Sequence, residues 1–518
     1  MHLHDKGDAR LSNAFLLTLV AYFIFQIIIR TSQPGALELD EAEQVFNSQQ
    51  MLLGYGGQPP LYTWLQWAAF RLFGISLFGL SVLKNALLFV LCVSMYQTAK
   101  PFVGTVGAIS VSSSLILLAP IGWESQIDRT HTVLATTLAA LSLQSYFALL
   151  RHPSWWRRVL LGFFIGLGLQ SKYNFAVFGA GLVFASIAVR EHRRVIWNRD
   201  VWPTVIVAIL CLLPHGLWFV ANVEHATADT LHKMGIDGPQ EISYVGKVAS
   251  GLVHLVLGIA GLVSPFWILF AIASRPCWDD ARFTPASPSS RFFLFLYAGA
   301  LAWPIALAFG GYLLSAKGRW LQPLLFSLPL ALFVVFPGTA RPLIFRRMIC
   351  IAGVVAACIL AALALRPQVV PAMGKDLRIH QPYPELAAEV VRRFPHVPVL
   401  VGQNRHTAGN FRFQHASLRA VLLDDVLRHA VDMEGTVLFL VQAETEGGWQ
   451  HRLRDAYPTA AVLKQGQIDA RPSKRGGEPL IFDYALMQFQ RAGSQPQHRN
   501  EAQQDGSGEF NNRPTRSR

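Results

Sequence analysis

Charge is scarce in this chain. Only 15% of its 518 residues are Asp, Glu, Lys or Arg, against roughly a quarter in an ordinary soluble domain. Acids are the scarcer sign, 32 against 45 Lys and Arg. Cysteine is sparse as well. Cys92, Cys211, Cys277, Cys350 and Cys358 show neither metal-ligand spacing nor a disulfide framework, and none lies in the polar C-terminal part. They are expected to be buried free thiols. No clear A-x-A site follows the first apolar run, whose core is longer than a typical signal peptide's, so that run is expected to be a retained anchor. No internal repeat is apparent, which weighs against a transporter built from repeats.

What the chain does have is apolar length. About half of it is hydrophobic, and runs of about 18 or more apolar residues mark a polytopic membrane protein. About eleven spans are expected: 11–29, 76–96, 102–119, 130–150, 158–169, 174–189, 201–220, 251–273, 292–314, 320–336 and 350–365. With the N-terminus in the cytoplasm, the inner loops collect Lys100, Arg151, Arg157, Arg158, Arg190, Arg193, Arg194, Arg199, Arg275, Arg282, Arg291, Arg341, Arg346 and Arg347. The outer loops collect Asp40, Glu41, Glu43, Glu124, Asp128, Glu224 and Asp229. This is the positive-inside pattern. It accounts for the net positive charge without nucleic acid, and leaves the C-terminus outside. The fold class is therefore a polytopic α-helical membrane protein, residues 1–368, followed by a small soluble α/β domain, 369–491, and a disordered tail, 492–518.

The outer loops carry the chemistry. Asp40 and Glu41 stand in LELDEAEQ directly after the first span. Charges held this close to a bilayer are function candidates. Ala42, Val45, Phe46, Leu52 and Leu53 recur at helical spacing with Asp40, Gln44 and Asn47 opposite, which predicts an amphipathic interface helix with its polar side up. The competing explanation is that the two acids only cap that helix. GYGGQPP breaks the helix, and a second amphipathic stretch, LYTWLQWAAFRLF, follows with Trp64 and Trp67 as interface anchors. Asp128 and His131 lie at the lip of the fourth span, where Asp128 is equally suited to cap that helix or pair with Arg129. Lys172 sits in a tight turn, and SAKGRWLQP puts Lys317 and Arg319 on the outer face against the positive-inside trend. Two acidic and two cationic sites on one face suit transfer chemistry on a lipid phosphate. A carboxylate deprotonates an acceptor hydroxyl and cations stabilise the departing phosphate.

LELDEAEQ…GYGGQPPLYTWLQ, IDRTHTVLA, GLGLQSKYNFAVF and KGRWLQPLLFSLPL together resemble GT-C glycosyltransferases of the protein-mannosyltransferase and aminoarabinose-transferase type, family 39-like, over roughly residues 10–340. The resemblance implies a bacterial inner-membrane enzyme. It would take a polyprenyl-phosphate-linked sugar and a lipid or glycolipid acceptor, lipopolysaccharide or lipid A first, at the periplasmic face. Asp40, with Glu41 beside it, and Asp128 match the family's first- and second-loop acids. Lys172, Lys317 and Arg319 match its phosphate-holding bases, with Gln58 and His131 as further substrate-binding candidates. The second loop departs from the commonest pattern in having Arg129, Thr130 and His131 after the acid. Some relatives are thought to use a divalent cation, and no ligand set here demands one. The alternatives are a lipid-sugar transporter, a protein O-glycosyltransferase of the same fold, and a scaffold whose outer domain binds a partner.

Overall fold

The structure is a computed structural model that describes residues 2–227, 243–280, 287–315, 317–428, 430–443, 448–471 and 479–489. Asp229, Arg282 and the expected tail lie outside the described residues. The N-terminal part is helical: α1 (His2–Thr31), α2 (Leu39–Asn47), α3 (Leu61–Phe73), α4 (Leu77–Ser113), α5 (Ser125–Asp128), α6 (His131–Arg151), α7 (Trp155–Leu169), α8 (Phe175–Ala188), α9 (Arg190–Ile196), α10 (Trp202–Ala221), α11 (Tyr244–Ser274), α12 (Pro288–Phe309), α13 (Gly318–Leu325), α14 (Leu328–Val335) and α15 (Pro342–Ala372).

Among the described residues, seven helices are long and apolar enough to cross a membrane, or nine if each of two bent pairs is one span. The bent pairs are α8 with α9, at 107°, and α13 with α14, at 47°. The eleven expected spans differ from this in two places. Spans 76–96 and 102–119 fall within one continuous helical stretch that reverses at Gly104, whose φ is 70°. Ser112 Oγ donates to the Cys92 carbonyl at 2.7 Å. In a straight helix those residues would be about 30 Å apart, so α4 is a hairpin of two antiparallel legs. Pro101 removes a helical donor and Gly104 tolerates the positive φ. The expected span 158–169 is α7, whose 15 residues reach only about 22 Å against a hydrocarbon core of about 30 Å.

α6 lies at the centre of the bundle, with 78% of its apolar window buried against 17% for α1 and α15. Its Thr, Ala and Ser residues permit close helix approach. At the end of the bundle away from the acid pair, the basic loops interlock. Arg158 donates to the carbonyls of Val195 and Ile196 and to Asn198, and Arg291 pairs with Glu191 at 3.0 Å. The five cysteines are free, but only Cys92 and Cys277 are buried. Cys350 and Cys358 are exposed on α15, whose apolar sides have little protein to cover them.

The C-terminal region contains α16 (Tyr383–Arg393), β1 (Val399–Gly402), α17 (Arg405–Gln414), β2 (Arg419–Leu422), α18 (Leu423–Leu427), β3 (Gly435–Gln442), α19 (Trp449–Ala456), β4 (Ala461–Ala470) and β5 (Leu480–Phe489). The sheet order is β2-β1-β3-β5-β4. β1 is parallel to β2 and β3, while β5 runs antiparallel to β3 and β4. β3 is buried almost throughout, as a central strand covered on both faces should be.

This α/β unit is docked on α2. Leu37 N–H donates to Asn410 Oδ1 at 2.8 Å, the Leu37 carbonyl meets His406 Nε2 at 3.0 Å, and Gln414 Nε2 donates to the Gly35 carbonyl at 3.1 Å. Gln49 accepts from and donates to the backbone of Ala420, which places its amide as one more rung on the edge strand β2. α17 crosses α2 so closely that a Cβ on Gly409 would overlap the Ala42 carbonyl.

Candidate active site

The position of α2 corrects the interface-helix expectation. Its polar residues Glu41, Gln44 and Asn47 are buried, and so are its apolar Ala42 and Val45. The helix ends at Asn47, so Leu52 and Leu53 follow it in an exposed loop. The polar side faces the bundle because the bundle has polar groups to meet it. Thr63 donates to Gln44 Oε1 at 3.0 Å, and Gln44 Nε2 meets His131 Nε2 at 3.1 Å. The other side is closed by α17.

Adjacent residues on a helix point about 100° apart, and this separates the acid pair. Glu41 is 2% exposed. Arg30 donates to both of its carboxylate oxygens, at 2.9 and 2.5 Å, and the Glu38 N–H adds a third bond at 3.1 Å. Burial alone would push the Glu41 carboxyl up, but the Arg30 guanidinium outweighs it and holds the group down to about 2. Glu41, expected as a second acid beside Asp40, does not line the cavity that Asp40 lines. Its oxygens are committed to Arg30 and the helix start, away from the cavity. Glu38, also 2% exposed, pairs with Arg366 at 2.9 Å and Arg378 at 3.9 Å, tying α2 to the segment leading into the α/β unit.

Asp40 and Asp128 form a reciprocal cap between two helix starts. The Asp40 N–H, a donor without an intrahelical partner in the first turn of α2, donates to Asp128 Oδ1 at 2.7 Å. In return Asp40 Oδ2 accepts from the Thr130 N–H at 3.1 Å and from Thr130 Oγ1 at 3.2 Å, just before α6 begins. Capping is thus real, but it runs across the two loops. Asp40 Oδ1 receives no hydrogen bond from the described residues. Burial first, and the nearby Asp40 charge second, push the Asp128 carboxyl up to about 7.

Asp40 lines a cavity of about 490 Å³ together with Gln58, His131, Lys172 and Arg319. These expected site residues come from five segments, which hydrogen bonds lock together. Leu61 N–H donates to the Gln170 carbonyl at 3.2 Å, Lys172 Nζ to Thr132 Oγ1 at 2.6 Å, and Asn174 Nδ2 to the Trp320 carbonyl at 2.9 Å. His131 sits in the wall with both ring nitrogens engaged, Nε2 by Gln44 and Nδ1 by the Ser171 carbonyl at 3.2 Å. Asp128 stands behind Asp40 and is not in the lining, and Lys317 is exposed at the start of α13. A larger cavity of about 560 Å³ between α1, the α4 hairpin and α15 is lined by no carboxylate, so acid chemistry has no footing there.

Sequence reasoning missed several participants. Arg30 and Lys84 lie beneath the acids, each under 10% exposed, with Lys84 Nζ donating to the Gln126 carbonyl at 3.2 Å. A lone Lys in an apolar run was a readable signal. Glu43, Arg129, Thr132, Tyr173, Asn174, Trp303 and Trp320 complete the polar and aromatic lining. Arg405 of α17, 3.5 Å from Glu43, carried no sequence signal because RHTAGNFRFQ lacks a clear apolar period. Among the described residues no group of three or more His, Cys, Asp or Glu is placed to hold a metal.

Chemically, the cavity offers a half-buried carboxylate with one open oxygen, facing cations brought in from other turns. Residues 57–218 match the family described as dolichyl-phosphate-mannose-protein mannosyltransferase. The chain is 33% identical over 401 residues to the lipopolysaccharide core galacturonosyltransferase RgtB of Rhizobium johnstonii, covering 76% of this chain and 80% of that one. It is 30% identical to RgtA of the same organism, a lipopolysaccharide core galacturonosyltransferase, covering 81% and 84%. Its fold is similar to that of ArnT from Cupriavidus metallidurans bound to undecaprenyl phosphate, with a TM-score of 0.54 at 13% identity over 91% of this chain and 98% of that one.

Proposed function

Because the chain belongs to the GT-C family of membrane glycosyltransferases, with the lipopolysaccharide core galacturonosyltransferases among its relatives, we propose that it transfers a sugar from a polyprenyl-phosphate donor to a lipopolysaccharide or lipid A-type glycolipid. The observation that carries the reading is Asp40, with its open Oδ1, in one cavity with Lys172 and Arg319. Asp40 takes the proton of an acceptor hydroxyl. The oxygen attacks the anomeric carbon from the side opposite the phosphate, the carbon–oxygen bond to phosphate breaks, and the polyprenyl phosphate leaves with the electron pair. The configuration inverts. Lys172 and Arg319 hold the phosphate and stabilise its gathering charge, with Lys317 at the rim. Gln58 contacts substrate, and His131 shapes the wall. The site faces the periplasm of the bacterial inner membrane, a placement supported by the Arg loops at the opposite end.

The test is mass spectrometry of envelope glycolipids with and without the gene. Loss of one sugar from a core or lipid A species is the expected result. An unchanged glycolipid profile alongside a changed glycoprotein or secondary polymer would remove the glycolipid acceptor.

Two further outcomes are expected. Asp128 holds its proton up to about 7, and its ionised form adds negative charge where the acceptor proton is withdrawn. Turnover should therefore rise with pH through about 7, and a pH–rate profile of Asp128→Asn should lack that limb. An identical limb in the variant would assign it to another group. Gly409→Leu should drive α17 off α2 and displace Asp40, costing on the order of 100-fold in turnover, as small misplacements of reacting groups do. Gly409→Ala should cost less. Equal activity of both variants with wild type would mean that the docked α/β unit does not position α2.

A further inference from the structure

Arg129 has no part in the steps above, yet it lines the same cavity as Asp40, Lys172 and Arg319. It stands between Asp128 and Thr130, the two residues that bond Asp40. Its guanidinium is oriented from behind: Nη2 is 2.6 Å from Glu124 Oε2, and Glu124 ends a π-helical turn, Pro120–Glu124. Such turns recur at functional sites. Arg129 Nε is buried with no hydrogen-bond partner among the described residues. A buried guanidinium N–H left unmatched is costly, so the loop that holds Asp40 keeps a strained cation whose outer part lines the cavity.

The three cations divide by origin. Lys172 comes from the turn between α7 and α8, and Arg319 from the start of α13, linked through the Asn174–Trp320 hydrogen bond. Arg129 comes from the acid side, in the loop that holds Asp40. A donor sugar whose anomeric carbon lies between the base and the phosphate presents its ring substituents to the acid-side wall. A neutral hexose brings a hydroxymethyl group there, which leaves a fork of N–H donors poorly matched. A uronic acid brings a carboxylate, which a guanidinium binds through charge-assisted hydrogen bonds.

We propose that Arg129, held by Glu124, is the specificity residue that binds the carboxylate of a uronosyl donor. This rests on the reading of the chain as a lipid-linked-sugar transferase. Arg129 is then a substrate-binding residue and Glu124 its positioning residue.

The experiment uses full-length enzyme in lipid, a lipopolysaccharide-core acceptor, and two donors: a polyprenyl-phosphate uronic acid and its neutral hexose counterpart. Wild type should favour the uronosyl donor. Arg129→Met should raise KM for that donor about 10- to 100-fold, the worth of a charge-assisted hydrogen bond, and leave KM for the neutral donor within about threefold. Arg129→Lys keeps the charge and loses the fork, so it should fall between. It carries the test if the Met variant is poorly folded, as judged by thermal melting. Glu124→Gln should shift the same KM in the same direction by less. Parallel losses with both donors, no loss with either, or a change confined to acceptor KM would overturn the assignment. A wild type that uses neither donor, while folded, would instead sink the parent reading.

Discussion

Asp40→Asn should lower sugar transfer by at least ~100-fold, the low end for a positioned general base, with membrane insertion and thermal stability close to wild type. The structure separates these two effects. Asn is the same size and keeps one carbonyl oxygen, which can go on accepting from the Thr130 N–H and hydroxyl. The reciprocal cap is then preserved through the Asp40 N–H bond to Asp128, which is a backbone bond on the Asp40 side. What disappears is the open, negatively charged oxygen. Single-turnover assays with a polyprenyl-phosphate donor, alongside melting curves, read the two effects separately. Turnover within a few-fold of wild type in a stable Asp40→Asn enzyme would take the base role away from Asp40.

Glu41→Ala should act mainly on stability, by about 3–5 kcal/mol, because breaking a buried ion pair strands its partner. Arg30 is 7% exposed, and its Nη1 already lacks a hydrogen-bond partner among the described residues. Without Glu41 the guanidinium keeps, among the described residues, only the long bond to the Ala36 carbonyl at 3.4 Å. Replacing both members, Arg30→Met with Glu41→Leu, should recover much of the loss, since a buried pair is often worth no more than packed apolar residues. Melting temperatures of the two singles and the double give the coupling. The pH dependence has a definite sign. The Glu41 carboxyl is held down to about 2 in the fold, so its contribution is present above the ordinary carboxylate range and is lost as pH falls through about 2. A Glu41→Ala protein that melts like wild type would mean that the pair contributes nothing to stability.

Much of the site was legible in the chain because its cues are local. Lys172, Arg319 and Gln58 lie in turns between apolar runs, and a charge in such a turn must emerge near the membrane surface whatever the packing. The hairpin in α4 was legible for the same reason, since Pro101 and Gly104 punctuate an apolar run that is too long for one crossing. α7 is short for a crossing, yet it runs from Arg158 among the basic loops to the turn that brings Lys172 to the cavity, so its apolar length was legible as an element joining the two ends of the bundle. α17 was missed because its helix is stabilised by contact with α2 rather than by a period of its own.

The sequence by itself determined the class of protein, the order of its spans, the segregation of acids and Arg clusters to opposite ends, and the short list from which a site must be drawn. Only the tertiary structure decided which acid of the pair faces the cavity. LELDEAEQ specifies a helix and its phase, so Asp40 and Glu41 must point in different directions, but phase is defined relative to neighbours. Arg30 arrives from α1, Asp128 and Thr130 from a loop some ninety residues on, and Gly409 from the α/β unit beyond the last span. Their arrival buries Glu41 in an ion pair and leaves Asp40 at the cavity. A contact between residues so far apart in the chain is set by packing of the whole bundle, and no local pattern encodes it.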